Sequence, residues 1–283
     1  MKPRSQRFRR WLDGGIQLIS GVSALIGLFF LAWILLEVIA RGGKALNWDF
    51  FTQLPPPPGL PGGGLANAIL GTLLITAAAT CIGVPIGILA GVYLAEFGKT
   101  SRYATLVRFT CNILMGTPSI IIGVFVYTLM VVPLGHFSGT AGAVALAIMM
   151  LPVTARTTED IIHLVPNSLR EAALGLGAPR WKVILQIVFR EAKSGLITGV
   201  LLALARVCGE TAPLLFTALN SPFWTFSLNQ PTANLTVTIF NYAMSPYEHW
   251  QQMAWGASLL ITVTVLAQTV IARLILQKRS IKP

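Results

Sequence analysis

The chain has 283 residues, 54 % of them hydrophobic and only 11 % charged, with a formal net charge of +11. Soluble domains carry roughly a quarter charged residues, so this composition excludes a soluble globular chain. The basic excess does not point to nucleic acid either, because the charges cluster between long apolar runs, as in the cytoplasmic loops of a membrane protein. Cys81, Cys111 and Cys208 all lie in apolar segments, and His136, His163 and His249 are scattered. No Walker A or HExxH pattern occurs, so no metal site and no cofactor bound by this chain is expected.

A membrane-spanning helix needs about 20 mostly apolar residues, and several segments qualify. Residues 1–14 form a basic tail with Lys2, Arg4, Arg7, Arg9 and Arg10. The apolar run that follows exceeds the ~7–15-residue core of a signal peptide and predicts an uncleaved first span at 15–41. Pro55–Pro58, Pro61 and Gly62–Gly64 then predict a stiff-then-flexible connector outside the membrane. A second span is expected at 65–95, where Gly71, Gly83, Gly87 and Gly91 recur at helical spacings that permit close packing, and where Pro85 predicts a kink. The third, at 109–132, is interrupted by Gly116, Thr117, Pro118 and Ser119. This is either a packed kink whose hydroxyls bond back to their own helix or a break that lines a pathway. The fourth, at 141–162, contains Arg156, with Glu159 and Asp160 near its inner end. The fifth, at 195–219, contains Arg206, Glu210, Thr211 and Pro213. The stretch 220–250 has no Lys or Arg, and its aromatic residues suit either a membrane interface or a docking surface. The last span is expected at 254–276, before a basic tail at 277–283.

Six spans place both termini on one side, and the basic residues collect there: in the two tails, in the Lys99–Arg108 loop and in Ser168–Arg190. That asymmetry marks the cytoplasmic side. The expected fold class is all-α, a polytopic membrane protein with six transmembrane helices. Residues 65–276 form its main domain, with a surface loop at 163–193.

The run SLREAALGLGAPRWKVILQIVFR, Ser168–Arg190, is too polar for hydrocarbon. Ser168 with Glu171 reads as a capping box, Gly177 as a helix stop, and Pro179 as a first-turn residue of a second helix. A short helix is therefore expected at the membrane surface or docked on a partner. Glu171, Ala172, Ala173, Gly177 and Ile187 have the spacing of the EAA loop, and the segment resembles that loop of ABC-importer permeases. The resemblance implies a type I importer permease whose cytoplasmic coupling helix inserts into a cleft on an ATPase subunit. The family pattern ends in Leu-Pro; here Phe189 and Arg190 stand at those positions, which leaves the start of the next helix open.

Charged residues inside spans usually face a water-filled cavity or a partner. Arg206 and Glu210 are four apart and would share a helix face. They read as an ion pair that eases insertion, or else Arg206 and Arg156 read as donors along an anion pathway. ALARVCGETAPLLFTAL (Ala203–Leu219) resembles the phosphate ABC-transporter permeases, and its Ala-Pro-Leu-Leu resembles the PstA-type rather than the PstC-type subunit. Gly116–Gly123, Leu151–Asp160 and Val165–Pro179 are similar to the same family in the same order. The resemblance implies a bacterial inner-membrane subunit that pairs with a PstC-type permease, two ATPase subunits that use ATP, and an extracytoplasmic phosphate-binding protein. It also implies that Arg156, Arg206 and Glu210 serve phosphate passage and that Glu171, Ala172, Ala173 and Gly177 act in ATPase coupling. Thr211 joins the candidate pathway residues by its place beside Glu210, and Thr117, Pro118 and Ser119 stay a candidate pathway-lining break beside the packed-kink reading. A permease for sulfate, molybdate or another oxyanion is the alternative within transport. A secondary transporter or channel without an ATPase is the alternative in another class, and the EAA spacing argues against it. A membrane-embedded enzyme lacks the nucleophile and metal constellations it would need.

Overall fold

The computed structural model describes residues 6–98 and 101–280, with side chains described over 11–98 and 101–274. Lys2, Arg4, Lys99 and Lys282 of the expected basic loops and tails lie outside the described residues. Among those described, the chain is all α, as expected, with no strand. It begins with α1 (Gln6–Ala45), α2 (Trp48–Thr52) and α3 (Ala66–Val92), which runs on into a π-helical turn at Tyr93–Phe97. Next come α4 (Arg102–Gly116) and α5 (Ser119–Val126), the latter extended through a second π turn (Tyr127–Val131) into α6 (Val132–Leu134). Then follow α7 (Gly139–His163), α8 (Asn167–Gly175) and α9 (Arg180–Lys182), and a third π turn (Val183–Val188) that leads into α10 (Phe189–Cys208). The chain closes with α11 (Ala212–Leu215), α12 (Leu235–Ala243) and α13 (Glu248–Ser280).

Four helical stretches among the described residues are long and apolar enough to cross a membrane: Trp11–Ala45, Ala66–Phe97, Gly139–His163 and Glu248–Leu274. A fifth qualifies only as a pair, Arg102–Gly116 with Ser119–Leu134, bent by 104°. The expected third span is therefore two helices. Thr117 (ψ 131°) and Pro118 (ψ 133°) are extended, because a proline removes a helical donor and pushes the residue before it out of the α region. The expected fifth span is shorter than its apolar run. Its helix stops at Cys208 with Gly209 at the cap, and Pro213 sits in the short helix that follows. At the other end α10 runs back through the π turn to Arg180 without a break. Phe189 stands where the related pattern has its Leu, and with no proline at 190 nothing interrupts the helix.

The centre of the molecule is α7, whose span is 67 % buried against 6 % for α1. It runs parallel to α3 in steps of four residues. A side chain at Gly83 would strike Ala147 and Met150, one at Gly87 would strike Leu151 and Thr154, and one at Gly91 would strike Ala155 and Thr158. The glycine stripe is thus what lets two backbones approach, as small residues do in lipid. Ile75, Leu146, Met150, Val207 and Val237 fill the core around this seam.

The segments outside the spans are more ordered than a connector and a loop. Within 41–64, Asn47 caps α2 by accepting from the Phe50 amide (2.8 Å), and Phe50 is buried under α13 with Met253 and Ala257. The chain then folds back, with the Gly64 amide on the Leu54 carbonyl (3.0 Å). Within 220–250, α12 is packed between α3 and α13. Asn234 caps it through Val237 N (2.9 Å), and Thr72 of α3 accepts from Leu235 N (2.8 Å). The C-terminal tail expected from 277 continues α13 to Ser280. Filling the seam tests this packing: Gly91→Leu should destabilise the protein by about 1–3 kcal/mol through overpacking, read as a lower unfolding midpoint in detergent. Gly27→Leu, on open α1 surface, should leave the midpoint in place.

Candidate functional site

Arg108, Arg156 and His163 gather around Glu159 at the end of α7. Glu159, 3 % exposed on α7, accepts Arg108 Nε on Oε1 (2.7 Å) and Arg156 Nη1 on Oε2 (2.7 Å). His163 Nε2 lies 3.8 Å from the same carboxylate. Arg108 is used up by this arrangement. Its Nη2 donates to the Leu94 carbonyl (3.0 Å) and its Nη1 to that of Gly98 (3.5 Å), where α3 and its π turn end. Among the described residues Arg156 is held at one nitrogen, and its side chain remains 32 % exposed. One carboxylate against two guanidinium groups leaves the cluster with a positive charge.

Arg206, Glu210 and Thr211 lie at the second helix break. The expected face-sharing pair does not form: among the described residues no ion pair joins Arg206 to Glu210. The helix ends at Cys208, so the 3.6-residue periodicity that would align residues four apart is lost before Glu210. Arg206 is exposed in the last turn of α10, where a cation suits the helix dipole. Glu210 is half-buried, and its backbone carbonyl accepts from Thr236 Oγ1 of α12 (2.8 Å). Thr211 uses its carbonyl to start α11, accepting from Leu214 and Leu215 (3.1 Å each).

The first break, Thr117–Ser119, belongs to the same region. A side chain at Gly123 of α5 would stand 2.7 Å from Pro213 Cα, so α5 and α11 pack backbone to backbone just beyond the two breaks. Thr117 Oγ1 bonds back to Ile113 O (2.8 Å) while Pro118 is exposed. The break is therefore locally satisfied, as in the first of its two readings, and open to the surroundings, as the second requires.

The surface helix is α8. It starts at Asn167 behind Pro166, so Ser168 lies inside the first turn and forms no capping box with Glu171. Its end is as expected. Gly177 adopts φ +82°, its amide bonds Leu174 O (2.9 Å), and the Ala178 amide bonds Ala173 O (3.1 Å), a Schellman motif. Pro179 caps α9 from just outside it. The two alanines part company: Ala173 is buried against Ile162, Val165 and Val183, while Ala172 and Glu171 face outward. Exposed Leu169, Leu174, Trp181 and Leu176, the last 90 % exposed, surround them. Glu171 also lines a crevice of about 350 Å³ with Glu96, Arg170 and Arg180. Sequence reasoning missed the parts played by Glu96, Arg108, Glu159 and Arg170; charged residues at the ends of apolar runs were the available signal.

On the opposite end a crevice of about 630 Å³ is lined by Pro55–Pro58, Asn67, Phe223, Tyr242 and Trp250. Tyr242 and Trp250 stack at 4.4 Å, and burial pushes the Tyr242 phenol up to about 12.

A family model described as "Binding-protein-dependent transport system inner membrane component" matches residues 83–280. A protein of Yersinia pestis named "Phosphate transport system permease protein PstA" is 49 % identical over 276 residues, covering 98 % of this chain and 94 % of its own. A Haemophilus influenzae protein of the same name is 52 % identical over 261 residues, 92 % of each chain. Among solved structures, a bacterial ABC transporter involved in the import of the acidic polysaccharide alginate aligns with a TM-score of 0.64 at 17 % identity, over 97 % of both chains. That likeness concerns the fold.

The Glu159 cluster generates a test. Breaking a buried ion pair by removing one partner costs about 3–5 kcal/mol. With the arginines 28 % and 32 % exposed, Glu159→Gln is expected at the low end of that range. Thermal unfolding in detergent reads it; an unchanged midpoint would mean that the cluster does not tie α4 to α7.

Proposed function

The chain belongs to the family of binding-protein-dependent transport system inner membrane components, and from that premise we propose how its parts divide the work of import. It is a phosphate ABC-importer permease of the PstA type, a multi-pass membrane protein. In the proposed arrangement both termini lie in the cytoplasm. A second, PstC-type permease completes the pathway, two ATPase subunits below hydrolyse ATP, and an extracytoplasmic binding protein delivers phosphate.

The observation that carries the pathway reading is Arg206. It is an exposed cation beside two adjoining helix breaks, and no described residue of this chain pairs with it. A guanidinium offers a planar fork of donors that matches an oxyanion. Arg156 adds charge nearer the inner end, its remaining N–H groups unused among the described residues. Glu210 accepts the proton that phosphate keeps near neutral pH, and its carboxylate repels sulfate, which has none to give. Thr211, Thr117, Pro118 and Ser119 line the break. ATP binding closes the ATPase pair, draws α8 of the two permeases together and opens the outer side.

The outward face of α8 supports the coupling role: Glu171, Ala172 and the exposed leucines form a contiguous, partly apolar surface that suits a protein partner. Gly177 lets the chain turn sharply behind it.

Two measurements test this. Arg206→Gln, with membrane level and ATPase association checked, should lower phosphate uptake at least about tenfold, since a charge-assisted hydrogen bond is worth about 1.5–3 kcal/mol. Uptake at the native rate in an assembled complex would make Arg206 structural and move the anion site to Arg156 or the second permease. Leu176→Asp on the tip of α8 should abolish co-purification of the ATPase at normal membrane levels. Retained ATPase would place the docking surface elsewhere.

A further inference from the structure

The π-helical turn Tyr93–Phe97 is gripped from two sides by arginines of other elements. From α8, Arg170 donates to Glu96 Oε1 through Nη2 (2.8 Å) and Nε (3.1 Å). The same guanidinium donates to the carbonyls of Ile162 (2.9 Å) and Val165 (2.5 Å), at and just beyond the end of α7. From α4, Arg108 donates to Leu94 O and Gly98 O and to the Glu159 carboxylate. Both ion pairs are mostly out of water. The carbonyls concerned lie at or just past the ends of α7 and of α3 with its π turn, where a helix leaves its own acceptors unsatisfied and its dipole favours a cation.

The two grips are in series. Arg170 sits on the helix expected to meet the ATPase. Arg108 sits on α4, whose far end is Gly116 at the break. Neither grip depends on the covalent path from α8 to α9, which turns at the left-handed Gly177. We propose that Arg170 and Glu96 are positioning residues for import: they pass the displacement of α8 to the Tyr93–Phe97 turn, and Arg108 passes it on to α4 and so to the Thr117–Ser119 break. The π turn suits this part, because its i to i+5 bonding is a local irregularity of the kind found at functional sites. The inference rests on the reading of α8 as the ATPase contact.

The experiment uses the whole reconstituted complex and counts phosphate moved per ATP hydrolysed, with the phosphate KM and ATPase content measured on the same preparations. Glu96→Gln and Arg170→Gln should each lower the ratio at least about fivefold, the lower bound of typical coupling effects, with KM and assembly as in the native complex. The double variant should fall no further than the worse single, because one contact is lost in all three. A native ratio in an assembled Glu96→Gln complex, or losses that multiply in the double variant, would overturn the proposal and leave apolar packing at Ala173 as the carrier. If Arg170→Gln fails to accumulate, Glu96→Gln decides, since it leaves the carbonyl contacts of Arg170 in place. Arg108→Lys keeps a charge opposite Glu159 without the fork; it should lower the ratio too, and a native ratio there would overturn the step to α4. Native preparations that hold no ATPase would instead refute the reading of α8, and that is seen before any variant is made.

Discussion

Lipid offers no hydrogen bonds, so wherever a helix of this chain ends or bends between apolar spans its freed backbone groups must find partners inside the protein. Much of the architecture follows from that requirement. The break after Cys208 is tolerable because Thr236 reaches Glu210 O and because the Thr211 carbonyl starts a new helix at once. The extended chain after α11 crosses the top of α7, where Ser138 N meets Thr217 O and Gly139 N meets Gln230 O. α12 lies in the core for the same reason: its Asn234 cap and the Thr72 hydroxyl satisfy an amino-terminal end that would otherwise be buried bare.

The shared end of α3 and α7 solves the same problem with charge. α3 and α7 both stop there, side by side, because their glycine seam makes them parallel neighbours. Two sets of unsatisfied carbonyls therefore crowd one region, each drawing a cation to it. Arg108 serves the end of α3 and Arg170 the end of α7. Each guanidinium in turn needs a carboxylate, and Glu159 and Glu96 provide them. A packing device in the middle of the membrane thus dictates where ion pairs must sit at its edge.

The parts that were legible in the sequence are those fixed by local spacing. Gly83, Gly87 and Gly91 announce a seam, and the Gly177 turn is a Schellman stop because only glycine adopts φ +82° without strain. What failed to be legible depends on partners far along the chain. Ser168 looks like a cap, but Pro166 already fixes the helix start one residue before it. The apolar run to Leu219 looks like one span, because hydropathy cannot distinguish lipid-facing helix from extended chain covered by α7 and α12. Arg108 and Glu159 are 51 residues apart, and Arg170 and Glu96 are 74 apart. No periodicity in one sequence joins such pairs.

Those long-range pairs also change how the arginines are sorted. Arg108 and Arg170 each satisfy a carboxylate and two backbone carbonyls, which accounts for their presence without any ligand. Arg156 is half committed, with one nitrogen on Glu159. Arg206 has no such account among the described residues, and the helix dipole alone does not require a full guanidinium at that position. Embedding a cation costs free energy that something must offset. For Arg206 no described residue supplies that offset; water or an anion would. Spacing weighs Arg156 and Arg206 alike; their surroundings separate them, since Arg156 is tied to Glu159 and Arg206, at the Cys208–Thr211 break, is tied to no described residue.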